Sequence, residues 1–125
     1  MKIIVLGMGL MGPTVAKDCV ADPLVELVIG CDIDEVQLKK AASRVKSKKF
    51  ITKKINIIDH NELVSVLTSN DIVVNCTAAR LSLNVLKAAM EAKVNLIDMA
   101  GGGYPQEGEI YNEVEKAGIT AIPGC

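Results

Sequence analysis

Gly7-Met8-Gly9-Leu10-Met11-Gly12 fits the spacing G-x-G-x-x-G and directly follows the apolar run Lys2–Leu6. The run is short and β-branched, and it reads as a buried strand. Gly7 would let the chain turn sharply out of that strand. Gly9, without a Cβ, would let a bulky anion reach the backbone, and Gly12 would let the next helix pack closely on the sheet. The amide hydrogens at that helix start, with the positive end of its dipole, suit a pyrophosphate held beside Gly7, Gly9, Leu10, Met11 and Gly12.

Glycines at these spacings occur in many turns, so the motif needs its context: a strand before, a helix after and an acid further on. Asp32 lies 20 residues beyond Gly12, at the end of a second apolar run, Val25–Cys31. A carboxylate there can accept hydrogen bonds from both hydroxyls of an adenosine ribose and would repel a 2′-phosphate. The expected cofactor is therefore NAD, with NADP disfavoured. Asp34 also stands nearby and is a good N-cap for the helix that follows. On sequence alone either acid could take the other's role.

The elements that must position these groups alternate strand and helix throughout. Strands are expected at about Lys2–Leu6, Val25–Cys31, Ile51–Ile57, Asp71–Asn75, Asn95–Met99 and Ile119–Ile122. Helices are expected at about Leu10–Ala21, Glu35–Val45, His60–Leu67, Leu81–Ala92 and Glu107–Ala117. Pro13 suits a first helical turn, Asp22-Pro23 ends that helix, Asp59 and Glu62 form a capping pair, and Gly118 ends the last helix. Gly101-Gly102-Gly103-Tyr104-Pro105 reads as a flexible loop. The pattern is α/β: a Rossmann-type, doubly wound, six-stranded parallel sheet of order 3-2-1-4-5-6 with helices on both faces. Residues 1–125 then form one dinucleotide-binding domain, with a substrate domain expected beyond Cys125.

In such a sheet ligands bind beyond the carboxyl ends of the strands. Ile33 follows Asp32 on the ribose side. Asn56 and Ile57 would meet the adenine with an amide and an aliphatic wall. Cys76, Thr77 and Ala78 follow the fourth strand, and Met99, Ala100 and Gly101 follow the fifth, on the nicotinamide side. Cys76 has Arg80 close in sequence but no histidine, so packing or backbone contact with the cofactor is preferred to a nucleophilic thiolate. His60 is expected to be exposed at a helix start, with no partner visible in the sequence. No proton-transfer catalyst is identifiable.

Composition narrows the classes further. Fourteen basic and fifteen acidic residues balance, which argues against nucleic acid or an anionic membrane as a general partner. The one charge cluster has eight basic residues between Lys39 and Lys54 and reads as a solvated face and edge strand rather than an anion patch. Three aromatic residues leave little for stacking bases. No apolar run nears the roughly 18 residues of a membrane span, and a five-residue strand stands where a signal peptide would begin, so a cytoplasmic location is the default. Cys19, Cys31, Cys76 and Cys125 are spaced 12, 45 and 49 residues apart, which with a single histidine gives no metal-site spacing. Cys19 and Cys31 read as small buried hydrophobes.

The whole chain resembles the N-terminal domain of the saccharopine dehydrogenase family, which includes lysine 6-dehydrogenase. The residues that carry this are Gly7 to Gly12, Asp32-Ile33-Asp34, Asn56…Asp59…Leu63 and Asp71 to Cys76. Ala88 to Ala92, Asn95-Leu96-Ile97-Asp98 and Ala117-Gly118-Ile119 to Pro123-Gly124-Cys125 complete the set. Asn56 departs from the Asp often found there, and the Gly101–Gly103 loop is longer than the family's. The resemblance implies an NAD(P)-dependent oxidoreductase acting at the C–N bond of a small-molecule amine or amino acid, and a homodimer for the full-length protein. An NAD-sensing regulatory module without catalysis is the alternative.

Overall fold

Ile3, Ile4, Val5 and Leu6 are each almost fully buried, so β1 (Lys2–Leu6) must lie where both of its faces are covered. Each such side chain contributes about 1.5–3 kcal/mol of burial. The computed structural model describes residues 1–101, 104 and 108–125. Around β1 stand β2 (Leu27–Asp32), β3 (Phe50–Lys54), β4 (Ile72–Asn75), β5 (Asn95–Asp98) and β6 (Ala121–Pro123). The sheet order is β3-β2-β1-β4-β5-β6, and every pairing is parallel. This is the doubly wound α/β architecture expected from the alternating pattern.

Helices cover both faces. On one side, α1 (Gly12–Ala21) and α2 (Glu35–Val45) enclose a core of Val5, Met8, Ala16, Val28, Leu38 and Ala41. On the other, α3 (His60–Leu67), α4 (Ser82–Ala92) and α5 (Glu109–Ala117) pack on Leu6, Leu63, Val73, Val85, Leu96 and Ile110. The aliphatic core follows from the scarcity of aromatic residues. Cys31 is buried within it, as expected, whereas Cys19 is only half-buried.

Several boundaries differ from the sequence reading, each for a local reason. β2 begins at Leu27 rather than Val25, because the Asp22 carboxylate accepts the Leu24 N–H and Val25 N–H closes a turn on the Asp22 carbonyl. β3 ends at Lys54 rather than Ile57. Asn56 Oδ1 accepts the Ile58 N–H, an Asx-turn that stops the ladder. Asn56 and Ile57 therefore sit in a loop and not on a strand. A single 3₁₀ turn, Ala79–Leu81, precedes α4, and β6 begins at Ala121 after Thr120 N–H bonds the Asn95 side chain. The first helix starts at Gly12, so Leu10 and Met11 belong to the turn. The expected start of the last helix at Glu107, and Gly102, Gly103 and Pro105 of the glycine loop, lie outside the described residues.

β3 is an edge strand, exposed over Ile51–Lys54. Its basic neighbourhood is used locally. Lys54 pairs with Glu35 at 3.4 Å, Arg44 donates to Thr14 Oγ1 at 2.8 Å, and Lys49 donates to the Asp22 carbonyl at 3.2 Å.

Candidate functional site

The turn after β1 is shaped by two close approaches. Gly7 has φ +88°, and an added Cβ would stand 2.9 Å from the Cys76 carbonyl oxygen. The turn thus leaves β1 against the loop beyond β4. At Gly12 a Cβ would fall 1.8 Å from the Gly7 carbonyl oxygen. Gly12 is needed because the helix start folds onto the turn's own backbone, not onto the sheet. Gly9 is the opposite case: a Cβ there would meet no heavy atom within 4 Å. Among the described residues, the N–H groups of Gly9, Leu10 and Met11 donate to no protein acceptor. Leu10 is 87% exposed and Met11 49%.

Asp32 ends β2 and faces this turn. Its Oδ2 accepts the Met8 N–H at 2.7 Å and its Oδ1 accepts the Asp34 N–H at 2.9 Å. Asp34 instead caps α2, accepting the Val36 N–H at 2.8 Å. The two acids that sequence left interchangeable thus take separate places. A carboxylate has about four lone-pair sites, so two remain on Asp32 for further donors.

A cleft of about 350 Å³ opens beside these groups. Gly7 and Gly9 line one end, and Asp32 and Ile33 follow from β2. Asn56 and Ile57 enter from the β3–α3 loop, and Cys76, Thr77 and Ala78 from the end of β4. Leu10, Met11, Gly12 and Ala100 do not line it. Ala100 is tied below, its N–H donating to Asp98 Oδ1 at 2.8 Å. Four lining residues escaped the sequence reading: Ile55, Ile58, Arg80 and Leu81. Arg80 was legible in principle, being a cation five residues past the end of the fourth apolar run. Among the described residues it makes no ion pair.

The floor on the β4–β5 side is polar and buried. Asn75 and Asp98 pair in register, both fully buried, and Asn75 Nδ2 donates to Asp98 Oδ1 at 3.1 Å. Asn75 Oδ1 in turn accepts from both the N–H and the hydroxyl of Thr77, at 3.1 and 2.6 Å. The Tyr104 hydroxyl donates to Asp98 Oδ2. Burial, followed by the bond to Asp98 and its charge, pushes the Tyr104 phenol above its usual range. The buried Ser82 hydroxyl faces the same phenol without completing a hydrogen bond. On sequence alone Asp98 carries no site role and stands only in the Asn95–Asp98 stretch of the family resemblance.

Cys76 is half-buried, with its Sγ 3.8 Å from Met99 Sδ, and burial pushes its thiol up to about 11. A thiol held protonated at neutral pH is a poor nucleophile. His60 is exposed at the start of α3 as expected, yet it has a partner: Nε2 lies 2.6 Å from Glu91 Oε2 of α4. That contact spans 31 residues, which is why the sequence did not show it. Among the described residues no group of three His, Cys, Asp or Glu side chains could hold a metal ion, and no helix is long and apolar enough to cross a membrane.

Bare amide hydrogens, open space above Gly9 and a carboxylate at the mouth of the turn are the donor and acceptor set that fits a dinucleotide's diphosphate and ribose. The chain is 28% identical over 124 residues to the mitochondrial alpha-aminoadipic semialdehyde synthase of Rattus norvegicus, covering 97% of this chain and 13% of that protein. It is 25% identical over 123 residues to the saccharopine dehydrogenase (NADP(+), L-glutamate-forming) of Saccharomyces cerevisiae, covering 97% of this chain and 26% of the relative. The chain thus spans about a quarter or less of these relatives' length. The apo structure of the Saccharomyces cerevisiae saccharopine dehydrogenase superposes with a TM-score of 0.76 at 23% identity, over 96% of this chain and 26% of that one, and so shares the fold. The family model described as the saccharopine dehydrogenase NADP binding domain matches residues 3–122, and the chain belongs to that family.

Proposed function

We propose that this chain is the dinucleotide-binding part of an oxidoreductase that acts at the C–N bond of an amine or amino acid, with its substrate-binding part lying elsewhere in the full protein. The observation that carries this is the turn itself: among the described residues the Gly9, Leu10 and Met11 amides have no protein acceptor, the space at the Gly9 Cβ position is open, and Asp32 bonds the Met8 N–H of the same turn. When bound, the nicotinamide ring would supply the hydride chemistry. This chain's residues hold and orient the cofactor. Gly9, Leu10 and Met11 receive the diphosphate, Asp32 the adenosine ribose, and Ile57 and Ile58 form an aliphatic wall for the adenine. The relatives' printed names, saccharopine dehydrogenase and alpha-aminoadipic semialdehyde synthase, support an amino-acid substrate.

NAD is the cofactor favoured by Asp32. Its oxygens are pinned by Met8 and Asp34, so the charge cannot swing away from a 2′-phosphate. NADP is the second reading, favoured by the family's description and by Arg80 in the same cleft. Asp32→Ala tests the choice. It is expected to weaken NAD binding about tenfold or more and to narrow the gap between NAD and NADP, measured by calorimetric titration with each. An unchanged selectivity ratio would remove Asp32 from this role.

A further inference from the structure

The sheet has two halves, β3-β2-β1 and β4-β5-β6, related by a pseudo-two-fold axis between β1 and β4. Such an axis exchanges the faces of the sheet. Asp32 is the last residue of β2, and by alternation from Val28 it lies on the face covered by α1. Asp98 is the last residue of β5, and by alternation from Leu96 it lies on the face covered by α4. Each is thus at the end of its half's middle strand, under the helix that crosses to that strand. Their hydrogen bonds correspond too. Each Oδ1 accepts the N–H two residues on, from Asp34 at 2.9 Å and from Ala100 at 2.8 Å. Each carboxylate also reaches back to its half's inner strand, Asp32 to the Met8 N–H just beyond β1 and Asp98 to Asn75 at the end of β4.

One difference stands out. Asp32 is half-exposed at the cleft, whereas Asp98 is fully buried and, among the described residues, its Oδ2 accepts from the Tyr104 hydroxyl alone. A phenol hydroxyl offers the donor that a sugar hydroxyl offers. Exchanging one for the other leaves no buried carboxylate oxygen unpaired, and so avoids the large cost of an orphaned acceptor.

Resting on the dinucleotide reading above, we propose that Asp98 is a second ribose-binding carboxylate, for the sugar of the nicotinamide half, and that Tyr104 is an internal stand-in which this sugar displaces. Asn75 is the positioning residue that holds Asp98 and Thr77 in one network. Nothing in the glycine motif or in the family's description assigns such a site.

The test is calorimetric titration of the 125-residue chain with adenosine 5′-monophosphate, nicotinamide mononucleotide and NAD. Tyr104→Phe removes the competing hydroxyl and keeps the ring that packs against the core on the α4 side of the sheet. It is expected to tighten nicotinamide mononucleotide and NAD binding about five- to tenfold, while leaving adenosine 5′-monophosphate unchanged. Asp98→Asn is expected to weaken the same two ligands about tenfold or more, again sparing adenosine 5′-monophosphate. Unchanged or weaker nicotinamide mononucleotide binding by a folded Tyr104→Phe chain overturns the proposal, whatever Asp98→Asn does to folding. Failure of the unaltered chain to bind adenosine 5′-monophosphate would instead overturn the dinucleotide reading itself.

Discussion

Gly9→Val is expected to lower dinucleotide affinity at least 100-fold while leaving the domain folded. The two halves of that result come from one observation. A Cβ at Gly9 meets no heavy atom within 4 Å, so the protein has room for a side chain. That room is the cleft, where Gly9 stands beside Asp32. An isopropyl group would hold a diphosphate away from the N–H groups of Leu10 and Met11. Charge-assisted bonds of this kind are worth about 1.5–3 kcal/mol each, so losing two of them exceeds the stated factor. Circular dichroism should report an unchanged fold, and calorimetry the missing heat. Affinity within threefold of the unaltered chain would mean that no phosphate approaches Gly9.

Gly12→Ala is expected to do the reverse, destabilising the domain by about 3 kcal/mol or more through overpacking. A glycine-to-alanine change inside a helix ordinarily stabilises by about 0.5–1 kcal/mol. Here the added carbon would lie 1.8 Å from the Gly7 carbonyl oxygen and 2.9 Å from its carbon. Both belong to backbone at the exit of β1, so relief requires moving α1 or the central strand's turn. Met8 Cε, also at 2.9 Å, is the flexible end of a side chain and can yield, but it is not the limiting contact. Urea unfolding should show a lower midpoint with an unchanged slope. A midpoint at or above that of the unaltered chain would show that the helix start is not held against the turn. The two glycines thus separate by outcome, one for the ligand and one for the fold.

Much of the fold was legible because local and global signals agree. β1 and β4 are apolar runs short enough for strands, and Pro13, Asp34, Asp59 and Gly118 punctuate the helices where the structure places their ends. The edge position of β3 could be read from its lysines, because an edge strand must be kept from pairing with another chain. Boundaries were missed where a side chain competes with the backbone ladder. Asn56 and Asp22 each end or delay a strand by bonding an N–H two residues on, which alternation of hydropathy does not register.

At the site, several residues just past an expected strand end could be placed by topology, since a parallel sheet gathers all its carboxyl ends on one side. Asp32 was found this way, and so were Cys76 and Thr77. What the sequence could not show were pairings between distant segments. His60 meets Glu91, Asn75 meets Asp98, and Tyr104 meets Asp98 because strands and helices far apart in the chain become neighbours. Ala100 was assigned to the cleft by its place after β5, yet its N–H is drawn inward by Asp98.

The central claim is that the bare amide hydrogens of Gly9, Leu10 and Met11 receive a diphosphate beside Asp32. Titrating the ¹⁵N-labelled chain with NAD and following its amide resonances tests this most directly. The largest shifts are expected at Gly9, Leu10 and Met11, with Ile33 and Asp34 moving in the same titration. Shifts confined to other surfaces, such as the apolar cleft between Tyr111 and Pro123, or no shifts with either NAD or NADP at millimolar concentration, would contradict it.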